Sequence, residues 1–251
     1  MLKALIFEVD GTLAKTEDLH RQAFNRAFEQ LGLTWHWAPE LYAELLKVMG
    51  GKERLTHYIV QTHPGDERLI AKMPEIHDLK TRLYGQLVEE GHLGLRPGIA
   101  RLIAEARAAG VKLAVATTTS RPNVDRLLAQ NFSAGDEPFD VIAYGDEAAH
   151  KKPAPDIFDL AVERLGIAPC EGIAFEDSAA GIRSALDAGL AVLATRSRYT
   201  QSHRLDGAFS AVSDLGEPGA PHRHIAGVAW PNGLVTLRAL QDWHARASLA
   251  A

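Results

Sequence analysis

The sequence predicts an α/β protein: a doubly wound parallel sheet with a helical domain inserted early in the chain. Three observations carry this reading. Ala4–Val9 is a nearly continuous apolar run that ends among acids, the pattern of a strand buried on both faces. From Pro97 onward, helical periodicities alternate with short apolar runs, which implies parallel strands joined by crossover helices. Between these regions roughly 95 residues pass without a convincing strand, where a crossover needs only about a dozen, so an inserted domain fits better than a loop.

Each element follows from local pattern. The first strand delivers Glu8 and Asp10 on one side, followed by a Gly11-Thr12 turn. Thr16 is expected to cap a helix in which Leu19, Ala23, Phe24, Ala27, Phe28 and Leu31 recur at helical spacing, ending at Gly32. A second helix is expected over Pro39–Met49 with Gly50-Gly51 as its stop, a third over Leu55–Val60 and a fourth over Pro74–Glu90. Trp35 and Trp37 are expected to close a small core rather than stack on a substrate. The core is thus read as 1–15 and 95–251, and the insertion as 16–94.

In the second half, a helix starting at Pro97 stops at Gly110. Strands are expected at Lys112–Ala116, Phe139–Tyr144, Gly172–Phe175 and Ala191–Ala194, with helices over Pro122–Asn131, Pro155–Leu165 and Ala179–Ala188. Ala208–Val212 reads as a final edge strand and Leu234–Ala245 as a terminal helix.

With 251 residues, 46% hydrophobic and 24% charged, the chain can bury one large core or two modest ones. Its net charge of -5 and scattered Lys and Arg argue against nucleic acid as a partner. His222-Arg223-His224 reads as a solvated loop. The single Cys170 excludes an intrachain disulfide and reads as a bland free thiol. No apolar run approaches the ~18 residues of a spanning helix, and the N-terminus runs straight into a strand, so no membrane partner and a cytoplasmic location are expected.

In an open α/β sheet, ligands bind beyond the carboxyl ends of the strands. Glu8 and Asp10 follow the first strand, and Thr117, Thr118, Thr119 and Ser120 the second. Lys151 and Lys152 lie beyond the third, and Glu176, Asp177 and Ser178 follow the fourth. Each signal is weak alone; together they suit one task, moving a phosphoryl group. Thr117 and Thr118 can hold its charged oxygens and Lys152 can neutralise them. The acids Glu8, Asp10, Glu176 and Asp177 form a hard oxygen set that fits Mg²⁺, and without a cation they would repel one another.

Asp-Gly-Thr-Leu at 10–13, Thr117, Lys152 before Pro153 and Phe-Glu-Asp-Ser at 175–178 resemble the four motifs of the haloacid dehalogenase superfamily. The resemblance implies a Rossmann-like core, with the helical insertion as a cap domain. It makes Asp10 the general acid and base, Thr117 and Lys152 phosphate-binding, and Glu176 and Asp177 metal-binding. Leu13–Glu17, Trp35–Trp37 and Leu45–Arg54 are similar to the CbbY-type sugar-phosphate phosphatases. Those enzymes hydrolyse xylulose 1,5-bisphosphate, an inhibitor of the Calvin-cycle enzyme Rubisco. The resemblance then implies that Lys52 and Arg54 bind a second phosphate and that Glu17 and His20 meet sugar hydroxyls, with Asn123 and Arg121 at the rim. The partner is a small sugar phosphate and the expected state a monomer.

One position departs from the pattern: Glu8 stands where the family has its nucleophilic Asp. An extra methylene moves the carboxylate by about 1 Å, enough to cost about 100-fold in rate. Impaired turnover is therefore expected, whether Glu8 is a deliberate substitution, a tolerated natural variant or the mark of lost catalysis. Lys15, where the family has an acid, is a smaller departure near the hinge. Two rival readings stay open: a β-phosphoglucomutase-like phosphomutase and a non-catalytic sugar-phosphate-binding protein.

Overall fold

The computed structural model describes residues 1–91, 93–133 and 135–250. The strands are β1 (Ala4–Phe7), β2 (Lys112–Ala116), β3 (Val141–Ala143), β4 (Gly172–Glu176), β5 (Ala191–Thr195), β6 (Ser210–Val212) and β7 (His224–Gly227). They form one sheet in the order β3-β2-β1-β4-β5-β6-β7, parallel except for the β6–β7 pair. β1 is central, fully buried and paired on both sides, which is what its unbroken apolar run predicts.

The sheet alternates its side chains between two layers. Leu5 and Phe7 face a cluster shared with α5 (Ile99–Ala108), α6 (Arg121–Asn131) and the terminal α9 (Leu237–Ala250). Ala4 and Ile6 face α7 (Asp156–Leu165) and α8 (Ala179–Asp187). Phe7 also stacks on Phe175 of β4, ring centroids 4.5 Å apart.

Between β1 and α5 lie α1 (Glu17–Gln30), α2 (Pro39–Leu45), α3 (Gly51–Thr62) and α4 (Glu67–Gly91). They enclose apolar clusters of their own, one of them aromatic around Phe24, Phe28, Trp37 and Tyr42. Trp37 is fully buried there, a core residue as expected. The chain leaves and re-enters the sheet layer at adjacent points: Ala14 and Leu95 form an antiparallel bridge, and Arg96 N–H donates to the Leu13 carbonyl at 2.8 Å.

Several boundaries differ from expectation for physical reasons. Thr16 does not cap α1; its hydroxyl donates instead to Asp10. α2 ends at Leu45, because the Arg54 guanidinium takes the Leu45 and Val48 carbonyls and fixes a turn there; Gly51 then opens α3 rather than stopping α2. α4 begins at Glu67 and passes through Pro74. The carbonyl Pro74 leaves without a donor is that of Ile70, which is on the exposed side, where water can satisfy it. Ala208–Val212 is not the sheet edge, since β7 pairs outside it. The 222–224 triplet is no solvated loop: His224 opens β7 and His222 is buried. Cys170 is exposed and unbridged.

Candidate active site

Everything gathers at the carboxyl end of β1 and its neighbours. Glu8 leaves β1 buried, and its side chain folds back: Oε1 accepts from the Val9 N–H at 2.8 Å, the Asp10 N–H at 3.3 Å and the Thr117 hydroxyl at 2.5 Å. Its other oxygen pairs with the Lys152 ammonium. Lys152 also donates to Glu176 at 2.6 Å and to the Ala116 carbonyl at 3.1 Å. Burial, with the charges of Glu176 and Asp10, raises Glu8 to about 7 against the pull of Lys152. Although burial opposes it, the two carboxylates hold Lys152 above its ordinary range.

Glu176 is fully committed. Oε1 takes Lys152, while Oε2 accepts from the N–H groups of Asp177 at 3.0 Å and Ser178 at 3.2 Å. Gly181 makes room for it, since a Cβ there would stand 1.9 Å from Glu176 Oε1. Asp177 turns the other way, against Gly11, whose φ of +73° and lack of a side chain allow the approach. Burial, then the charges of Glu17 and Glu176, pushes Asp177 well above the carboxylate range.

Asp10 is half-buried and held from three sides. It accepts from Thr16 and Thr119 hydroxyls, both at 2.5 Å, and His20 Nε2 lies 3.4 Å away. Burial would raise its pKa, but His20 and the two hydroxyls outweigh this and keep it below the usual carboxylate range. His20 stacks on Tyr84 at 4.0 Å, and its Nδ1 is 2.9 Å from Lys80 Nζ. Burial and the Lys80 charge push His20 down to about 4, so near neutrality it is uncharged. Lys80 itself, buried on α4, is pulled down to about 7 by desolvation.

A narrow cleft opens between the sheet end and the insertion. Asp10, Thr118, Thr119, Ser120, Asn123 and Lys151 line it from the sheet side; Lys52, Arg54, His77 and Lys80 line it from the helices. Asn123 Oδ1 and Ser120 Oγ are buried there without hydrogen-bond partners, free to meet a ligand. A second small cleft reaches Glu8, Asp10, Glu17, Arg54, Thr118 and Asp177.

The sequence-derived residues Glu8, Asp10, Thr117, Thr118, Lys152, Glu176 and Asp177 thus lie together, and His20, Arg54, Lys52 and Asn123 face the same space. Glu17 is buried beside Gly11 with Oε1 unpartnered. Lys52 is exposed at the cavity mouth, and Arg121 turns instead onto the Tyr144 ring. Lys80 and His77 were not singled out by sequence reasoning. The signal was present: both sit beside Ile76 and Leu83 on the buried face of α4, where a charged side chain needs a reason. Among the described residues no three His, Cys, Asp or Glu side chains converge as a ready metal site.

The sequence matches the haloacid dehalogenase-like hydrolase family over residues 2–189. It is 50% identical over 216 residues to a protein named CbbY from Rhodobacter capsulatus, covering 85% of this chain and 94% of that one. A plasmid-borne CbbY of Cupriavidus necator is 44% identical over 250 residues, 97% of each chain. A mutant CbbY from Rhodobacter sphaeroides, solved in complex with xylulose-(1,5)bisphosphate, superposes with a TM-score of 0.80 at 45% identity, covering 85% of this chain and 95% of that one. On this likeness, and on a sheet end that gathers acids, hydroxyls and one buried lysine, the chain belongs to the haloacid dehalogenase-like hydrolases.

Proposed function

We propose that the chain is a Mg²⁺-dependent phosphatase acting on a sugar bisphosphate, converting xylulose 1,5-bisphosphate to xylulose 5-phosphate with turnover impaired by Glu8. The observation that carries this is the cavity with cations on both walls: Lys151 on the sheet side, and Lys52, Arg54 and Lys80 on the helices. A small molecule with a phosphate at each end matches that charge. The solved relative's bisphosphate ligand supports the same reading.

In this reading the phosphoryl group to be removed lies between Glu8 and Asp10, its oxygens met by Thr117, Thr118 and Lys152. The Glu8 carboxylate attacks phosphorus while Asp10 gives its proton to the departing sugar oxygen. Asp10 then takes a proton from the water that attacks the acyl phosphate, releasing phosphate and restoring Glu8. Asp10 is ionised at rest, which suits the second task; the charge of bound substrate must raise it for the first. Oε1 of Glu8 already accepts from two main-chain N–H groups and the Thr117 hydroxyl, whereas Oε2 meets only Lys152 and keeps a lone pair for attack.

The donor chemistry fits a hard cation: Asp177 is buried among like charges that a cation would relieve. Glu8, Asp10 and Asp177 would hold Mg²⁺, with water and substrate phosphate completing its shell, while Glu176 fixes Lys152. Bound there, the ion would neutralise the phosphoryl oxygens. Residues 16–94 act as the cap that closes over the sugar and excludes water. The cavity is built within one chain, which suits a monomer. No helix among the described residues is long and apolar enough to cross a membrane, and the reading places the reaction in the cytoplasm.

The test is phosphate release from a panel of sugar mono- and bisphosphates, with Mg²⁺ and with EDTA. Preference for a bisphosphate and loss of release on chelation support the reading. Interconversion of glucose 1-phosphate and glucose 6-phosphate with a bisphosphate primer would instead make the chain a mutase.

A further inference from the structure

Arg96 is a buried cation that the reaction outlined above does not use. It sits where the chain returns from the helical insertion, and only 5% of it is exposed. Its guanidinium makes no carboxylate ion pair among the described residues. Instead it donates to neutral acceptors on three separate segments. One nitrogen donates to the Gly11 carbonyl and, at 3.1 Å, to the Thr195 hydroxyl. The other donates to the Arg196 carbonyl at 2.9 Å and to the Ser213 carbonyl. Gly11 follows Asp10 directly; Thr195 ends β5, Arg196 follows it, and Ser213 follows β6.

Its main chain does a related job. Arg96 N–H donates to the Leu13 carbonyl, while the adjoining Leu95 bridges Ala14. One residue therefore grips the loop carrying Glu8 and Asp10 at two points, Gly11 and Leu13, from the second of the two crossings between insertion and sheet. The charges of Asp177 and Glu17 act on the same guanidinium, and both side chains occupy the space that a Cβ at Gly11 would need. Burying a guanidinium is costly unless its donors are met; here the two terminal nitrogens are met, while Nε is buried without a hydrogen-bond partner. Five donors in a fixed plane can tie four acceptors in one geometry, which a lysine cannot do.

We propose that Arg96 is a positioning residue. It holds the Gly11 carbonyl against the ends of β5 and β6, sets the pose of the 8–13 loop, and couples that loop to the hinge of the helical insertion. Its role rests on the reading of Glu8 and Asp10 as the reacting acids, but the clamp itself does not.

The experiment compares Arg96→Lys and Arg96→Ala with the parent, in the chain as it stands and in its Glu8→Asp form. The expected result is a loss of about 100-fold in kcat with KM within about threefold, as for a misplaced reacting group. Added guanidinium at low millimolar concentration should restore part of the kcat of Arg96→Ala. Amide hydrogen exchange should quicken at Gly11–Ala14 and stay unchanged in β1. Parent-like exchange at Gly11–Ala14 in both variants would overturn the clamp whatever the activity. Faster exchange spread evenly over β1, β2 and β5 would overturn it too, reducing Arg96 to general stability. If no form releases phosphate, exchange confined to Gly11–Ala14 still upholds the clamp and the reaction assignment alone falls.

Discussion

Glu8 absorbs its extra methylene by curling onto its own main chain, with Oε1 2.8 Å from the Val9 N–H. Type and spacing alone marked it, with Asp10, Thr117, Lys152 and Asp177, because each follows a strand and each suits phosphoryl transfer. Lys80 was harder to see, since nothing in a helical stripe says that one lysine on it will meet a histidine from another helix. Its burial makes a prediction. Its pKa falls from the ordinary value of 10.5 to about 7 on folding, so between pH 7 and 10 the unfolded chain binds the extra proton and stability rises with pH. Relative to Lys80→Met, which has no charge to desolvate, the parent should gain about 3 kcal/mol across that window in urea unfolding. A pH-independent difference would contradict a lysine desolvated by folding. Gly11→Ala places a Cβ 2.2 Å from Asp177 Oδ2 at φ +73°. It should cost at least about 1–2 kcal/mol, read by thermal unfolding, and displace Asp177.

At the scale of elements, the buried strands were legible because burial on both faces writes an unbroken apolar run; β2 matches its expected limits residue for residue. β7 was not, for the opposite reason. His224–Gly227 is short and largely exposed, and it exists through pairing with β6, a fact of tertiary structure. The start of α4 was missed because Pro74 reads as a first-turn residue, yet seven helical residues precede it, two of them, Leu69 and Met73, packed on the aromatic cluster. That packing outweighs a lost hydrogen bond. Pro74→Ala should therefore stabilise the helix by about 1–3 kcal/mol, seen as slower amide exchange in α4. Unchanged or faster exchange there would mean that the proline's geometry is required.

For the molecule as a whole, the order of the chain explains the site. The insertion leaves β1 directly after the acids and returns at Arg96, so helices carrying Lys52, Arg54 and Lys80 stand over the sheet end that carries Glu8 and Lys152. That helices rather than strands fill the chain between Val9 and Val111 was legible from the absence of apolar strand runs there. The pairing of their cations with the sheet-end acids was not, because it depends on how the two layers face each other. The proposed function is that of a bisphosphate phosphatase held back by one methylene. Its most direct test is the rate of phosphate release from xylulose 1,5-bisphosphate with Mg²⁺, measured side by side on this chain and its Glu8→Asp form. The Asp form should be faster by about 100-fold or more. Equal rates in the two forms, or no release from either, would contradict it.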